Sequence, residues 1–368
     1  MFTDMLLGIC WLEEVNMKSR RDFLKTTGLA AGLLAVSPFQ ILKAKPKLND
    51  EIIGHGDFRY RVHKEWGVLD SGKYPVNNCH EMVQDSLGRL IMLTDEARNN
   101  ILIYDKSGML LDSWTLGLKG AHGLSIHNEG GEDFLYITDT ASGKVLKTST
   151  KGKAILSIPS PKEFEEYSRD MKFIPTETAI GPNGDIYVAD GYGSQYILRY
   201  DAKGNFISKF GGDSFLQDAK FKQAHGVAID YRDPTNPTLI CTARMKNAFK
   251  RFSLEGAYLE TIYLPGAFVS RPVMDDENIY SGVCFGMIEG NFNAQLNRGF
   301  VTILDKNNKV ISNPGGSKPK YKNGQLQLMM QDKPIFQHCH DVCVDNDKNL
   351  YVCQWNAGKV YPYKLERV

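Results

Sequence analysis

The sequence predicts an all-β fold, a six-bladed β-propeller with four antiparallel strands per blade, and three observations predict it. A phrase of alternating apolar strands broken by Gly, Asn and Asp turns recurs at roughly 40–55 residues, the spacing of propeller blades. No long apolar helical stretch follows residue 42. Glycine reaches 34 residues in a chain of 368, with 17 Tyr and 18 Phe, which suits many short strands and tight turns. Hydrophobic residues make up 42% and charged residues 24%, an ordinary soluble globular balance with enough chain to bury a large core. With 44 basic and 43 acidic residues the net charge is +1, so charge gives no basis for nucleic acid or an anionic membrane as partner.

The blades can be followed in order. One copy opens at Cys79-His80-Glu81-Met82 and a second at Ala121-His122-Gly123-Leu124, which leads on to residues 135–139. The third opens at Pro175-Thr176-Glu177-Thr178, turns at Pro182-Asn183-Gly184-Asp185 and returns through 186–190; strands over 196–200 and 206–210 follow. Further copies open at Ala224-His225-Gly226-Val227 and Cys339-His340-Asp341-Val342, and a degenerate one falls near Ser270-Arg271-Pro272-Val273. Residues 312–334, rich in Gly, Lys and Asn, read as a surface loop. A strand within 58–69 is left over at the start. Beside 359–364 it would complete the last blade, so that N- and C-terminal strands close the ring and remove its edges.

The N-terminus reads as an address. Ser19-Arg20-Arg21-Asp22-Phe23-Leu24-Lys25, followed by an apolar run over 28–36, has the layout of a twin-arginine export signal. The run is too short for an ordinary membrane span. Leu42-Lys43-Ala44 is a poor cleavage site, which leaves open a signal retained as an anchor. The expected division is an extension and signal over 1–44 and the propeller over 45–368. The expected partner is the twin-arginine translocation machinery, and the expected location is periplasmic or extracellular, with no stable membrane span after processing. That route carries folded proteins, which suits a cofactor acquired before export.

Four of the eight histidines, His80, His122, His225 and His340, hold the same place in their blades. Each opens an innermost strand, and innermost strands line the central channel, so equivalent positions form a ring of side chains facing the axis. A lone channel histidine is ordinarily a hydrogen-bonded structural residue. Four in register point to a transition metal such as zinc, at Zn–N of about 2.0–2.1 Å. Three imidazoles with a fourth position open to water or substrate make a catalytic arrangement.

The repeat resembles the NHL repeat of six-bladed propellers. From residue 79 onward the chain also resembles peptidyl-α-hydroxyglycine α-amidating lyase, the zinc lyase that completes C-terminal peptide amidation. The motifs that carry the resemblance are Ala121-His122-Gly123-Leu124-Ser125-Ile126, Ala224-His225-Gly226-Val227-Ala228, Cys339-His340-Asp341-Val342 and Ala189-Asp190-Gly191-Tyr192. It implies His122, His225 and His340 as zinc ligands and Tyr192 as the catalytic tyrosine. Arg244, in Cys241-Thr242-Ala243-Arg244, matches a substrate-side arginine although the motif is one residue shorter. Arg98 falls where the family places another active-site arginine. Asp341, with the Leu124 carbonyl, matches a structural calcium site. The departures matter too. His80 has no counterpart ligand and enters as a metal candidate on ring position alone. His338 stands where the family has a methionine, and Gly193 and Arg251 replace disulfide cysteines. No copper monooxygenase domain is present to make a hydroxyglycine, so the reaction type can persist with a different substrate.

The implied reaction splits a carbinolamide C–N bond in a substrate with a C-terminal α-hydroxyglycine-like group, giving an amide and glyoxylate. Zinc would polarise the hydroxyl, and Tyr192, whose free pKa is about 10, would take its proton as a phenolate favoured by the metal and Arg244. Arg244 or Arg98 would grip a substrate carboxylate. Two other readings stay open: a lactonase-type propeller hydrolase, which would use calcium with Glu, Asn and Asp ligands, and a non-enzymatic NHL-repeat binding protein. Glu177 reads as a solvated carboxylate. Cys79 and Cys339, each before a ring histidine, are either a cross-blade disulfide or metal contact, or two small buried thiols.

Overall fold

Each sheet starts on the channel and ends at the rim, with its innermost strand mostly buried and its outermost strand partly exposed. The computed structural model describes residues 51–368, and the twin-arginine segment lies outside them. Blade one comprises Cys79–Gln84, Leu90–Thr94, Ile101–Tyr104 and Leu110–Trp114; blade two, Ala121–Glu129, Glu132–Asp139, Lys144–Ser149 and Ala154–Ile158. Blade three comprises Glu177–Ile180, Ile186–Ala189, Tyr196–Tyr200 and Phe206–Gly211; blade four, Ala224–Asp230, Thr238–Ala243, Ala248–Ser253 and Tyr258–Tyr263. All are antiparallel meanders. The second strands of blades one, three and four, Leu90–Thr94, Ile186–Ala189 and Thr238–Ala243, are buried along their whole length because blades cover both faces. The core therefore lies between blades: Ile91, Leu93 and Ile103 of blade one pack with Leu124, Leu135 and Ile137 of blade two.

Blade five departs from the repeat. Its innermost strand is broken into Phe268–Val269 and Val273–Asp275, both paired with the long strand Asn278–Ile288, with Phe300–Leu304 and Val310–Ser312 outside. The break is Ser270-Arg271-Pro272, where proline has no N–H for a ladder. The 312–334 loop carries a small hairpin, Tyr321–Lys322 with Gln325–Leu326, and is otherwise irregular.

Blade six closes the ring. Cys339–Val344, Leu350–Gln354 and Tyr363–Arg367 come from the C-terminus, Phe58–His63 pairs onto the last of these, and Ile52–His55 adds a fifth strand. The closing strand runs over Tyr363–Arg367 rather than 359–364, because Gly358 and Lys359 turn with positive φ before it. No helix among the described residues is long and apolar enough to cross a membrane.

Candidate metal centre

Wherever a ring histidine occurs, the innermost strand loses register with its neighbour: between Cys79 and Glu81, Ala121 and Leu124, Ala224 and Val227, and Cys339 and Asp341. Such bulges bend a strand and re-aim the side chain within them. Here they turn His80, His122, His225 and His340 together, all buried. Ring centroids lie 4.7 Å apart for His122 and His340. His80 lies 4.8 and 4.7 Å from these two, and His225 lies 4.8 and 5.0 Å from them. The four rings thus form two triangles sharing the His122–His340 edge. The candidate ligand atoms of His80, His122 and His340 all fall within 4.8 Å of one another.

Backbone carbonyls fix the rings. His122 Nδ1 donates to Thr176 O at 2.9 Å and His340 Nδ1 donates to His80 O at 3.0 Å, so both rings present Nε2 lone pairs inward. His80 Nε2 faces Asp95 Oδ2 at 3.4 Å, and its buried Nδ1 has no partner. Burial, foremost, holds His122, His225 and His340 well below the ordinary histidine range, so they are neutral at pH 7. Three distances here match the edges of a tetrahedral first-row site. Nε2 of His122 and His340 are 3.2 Å apart, and the Tyr192 hydroxyl is 3.1 Å from His122 Nε2 and 3.0 Å from His225 Nε2. Ligands about 2.0–2.1 Å from zinc would be separated by about 3.3 Å.

Tyr192 follows Asp190-Gly191 at the end of a blade-three strand. Its carboxylate neighbour Asp190 ties that corner by accepting from Ile174 N (2.7 Å), Ser194 N (2.6 Å) and the Tyr167 hydroxyl (2.9 Å). The residue is 36% exposed, yet its hydroxyl reaches the buried imidazoles, so the exposed part is the ring. Burial raises its pKa, and the Arg244 guanidinium alongside opposes the rise. The expected lowering of the phenol therefore does not come from the protein alone.

Arg244 takes the strand-end position that Asp95, Asp139 and Asp190 take in blades one to three, and it is buried. Its Nε donates to Val269 O (3.1 Å) and Nη2 to Ser270 Oγ (2.9 Å), and it lies 5.9 Å over the Phe285 ring. These bonds use one edge of the fork, so the expected two-pronged grip on a carboxylate is already partly spent. Arg98 is not brought to the ring. It sits on the turn after Thr94 with its side chain 74% exposed, forked on Glu96 at 2.8 and 3.2 Å. His338 uses both nitrogens, with Trp355 O and Asn297 N. The six cysteines among the described residues are free and buried, so Cys79 and Cys339 form no cross-blade disulfide.

The calcium expectation does not fit. Asp341 and the Leu124 carbonyl turn their oxygens onto Arg271, a residue that sequence reasoning did not assign: Nε to Asp341 Oδ1 is 2.7 Å, Nη2 to Asp341 Oδ2 is 2.9 Å and Nη1 to Leu124 O is 2.7 Å. Glu177, expected in solvent, is buried beside the same guanidinium, as is Glu81.

No protein-family profile matches the chain. It is 28% identical over 187 residues to the probable peptidyl-alpha-hydroxyglycine alpha-amidating lyase of Caenorhabditis elegans, covering 50% of this chain and 49% of that protein. It is 27% identical over 154 residues to human NHL repeat-containing protein 3, covering 40% of this chain and 44% of that protein. The chain thus spans about half or less of these relatives' length. Among solved structures, a gluconolactonase from Xanthomonas campestris superposes with a TM-score of 0.56 at 13% identity, over 84% of this chain and 90% of that one, a likeness of fold alone.

Proposed function

We propose that this chain is a metal-dependent carbon–nitrogen lyase, with zinc the metal, that cleaves a peptidyl-α-hydroxyglycine-like carbinolamide to an amide and glyoxylate. One observation carries the reading: the Tyr192 hydroxyl lies against Nε2 of both His122 and His225, with His340 completing a triangle of neutral imidazoles. The similarity to an amidating lyase over half its length supports the same choice.

His122, His225 and His340 would hold a divalent ion, which would supply Lewis acidity at the substrate hydroxyl. The chain does the rest. Tyr192 takes the hydroxyl proton, the C–N electron pair leaves on nitrogen as the C=O bond forms, and nitrogen receives a proton in return, so the reaction is redox-neutral. Arg244 favours the phenolate against the cost of burial. Thr176 O and His80 O keep the His122 and His340 lone pairs aimed inward. A lactonase reading would use the channel carboxylates as calcium ligands, but Asp341, Glu81 and Glu177 face Arg271 instead.

The test is elemental analysis of purified protein followed by an assay of N-benzoyl-α-hydroxyglycine for benzamide and glyoxylate. One transition metal per chain and stoichiometric products are expected. Metal-free protein with no turnover after zinc loading would refute the reading. We also infer export through the twin-arginine segment. Replacing Arg20 and Arg21 with Lys is expected to retain the protein in the cytoplasm, read by cell fractionation.

A further inference from the structure

Directly below the imidazoles lies a second layer. The residue after each ring position is, blade by blade, Glu81, Gly123, Glu177, Gly226, Arg271 and Asp341. The two glycines make room: a Cβ on Gly226 would lie 2.5 Å from Arg271 Cα, and one on Gly123 would lie 3.0 Å from Glu177 Cα. Into this layer blade five sends one guanidinium. Around it converge both Asp341 oxygens (2.7 and 2.9 Å), the carbonyls of Leu124 (2.7 Å) and Met82 (3.0 Å), Glu81 Oε2 (3.4 Å) and Glu177 Oε2 (3.8 Å). Carboxylates and carbonyls gathered on one point are the donor set of a hard divalent cation.

We infer that Arg271 is a tethered internal cation that occupies a calcium-type oxygen cage at the hub, so that the propeller needs no calcium there and the guanidinium holds the histidine ring in place. The partners make the second role specific. Glu81 and Met82 follow His80, Leu124 lies two residues past His122, Asp341 follows His340, and Glu177 follows Thr176, whose carbonyl anchors His122. A planar fork bonded to three strands fixes their relative height in a way a hydrated ion does not. The broken strand of blade five lets a long side chain enter the axis at that level.

Zinc-loaded wild type and Arg271→Ala, titrated with CaCl2 alone, decide the matter by thermal melting and calorimetry. Wild type is expected to show no calcium binding and an unmoved midpoint. The alanine variant frees the cage, so calcium is expected to bind at one ion per chain and raise its midpoint by several degrees. Wild type that binds one calcium with a raised midpoint overturns the inference, and so does folded Arg271→Ala whose midpoint ignores calcium. If Arg271→Ala does not fold in buffer, Arg271→Ser is refolded from denaturant with and without calcium. Recovery only with calcium supports the inference, and recovery in neither overturns it. The readout is independent of lyase turnover, so the proposed activity can fail while this result stands.

Discussion

Nε2 of His122 and Nε2 of His340 lie 3.2 Å apart, and this edge belongs to two triangles of imidazoles at once. His80 completes one triangle and His225 the other. The Tyr192 hydroxyl touches the shared His122 and, of the two outer rings, His225 rather than His80. Loss of either shared histidine removes a ligand from both triangles, so His122→Ala and His340→Ala are each expected to lose the metal. The ion that serves Tyr192 needs His225, so His225→Ala is expected to lose it and His80→Ala to keep it. Metal content by mass spectrometry checks this. The reverse pattern, retention in His225→Ala and loss in His80→Ala, would put the ion in the triangle remote from Tyr192.

Tyr192→Phe removes one oxygen and leaves the Thr176 and His80 carbonyls that anchor His122 and His340 untouched. Metal content is expected to hold while turnover of N-benzoyl-α-hydroxyglycine falls by about 10²–10⁴-fold, the usual worth of a positioned proton acceptor. The informative comparison is kcat against metal content. Activity within a few-fold of wild type removes Tyr192 from the chemistry and leaves it a lid over the imidazoles.

Gly123 is tied to His122 by space rather than by bonding. A Cβ there would stand 2.5 Å from Thr176 O, the carbonyl that accepts from His122 Nδ1, and 2.8 Å from Thr138 Oγ1, which accepts from Gly123 N. Gly123→Ala therefore strikes the carbonyl that sets the His122 tautomer. The expected result is a folded protein destabilised by about 1–3 kcal/mol, as for other overpacked sites. Its metal is expected to be held about 10–100-fold more weakly, as when an outer-shell partner is lost. Melting and competition with a chelator measure the two effects, and unchanged metal affinity would show that Thr176 O does not orient the ring.

How far the site was legible follows from what repeats. His80, His122, His225 and His340 share one place in the repeat, so symmetry alone gathered them. Tyr192 and Arg244 followed from short motifs at strand ends. Arg98 lies away from the ring because the turn two residues past Glu96 gives its guanidinium that carboxylate at 2.8 Å. Arg271 was missed because it lies in the degenerate copy, and because its partners come from blades one, two, three and six. The column Glu81, Gly123, Glu177, Gly226, Arg271, Asp341 was nonetheless readable: charged residues of both signs in an inward register, with glycine where a neighbour needs room. The bulges that aim the histidines had no such signal, since a slip in register is a property of two strands together.

Closure of the ring rests on a strand joined across the whole chain. Val62 and Leu365 are direct partners, both fully buried, in a cluster with Tyr60, Leu350 and Val352. Leu365→Ala leaves a cavity where the N-terminal strand meets the C-terminal one, and a cost of about 2–5 kcal/mol is expected. Because Phe58–His63 has only Tyr363–Arg367 and Ile52–His55 as strand neighbours, this loss frees the first blade-six strands before the rest of the propeller unfolds. Hydrogen exchange should therefore show faster exchange over residues 52–63 than over Leu90–Thr94, with the metal retained. Uniform exchange across all blades would mean that the ring opens as one unit and that the closing strand is no weaker than the others.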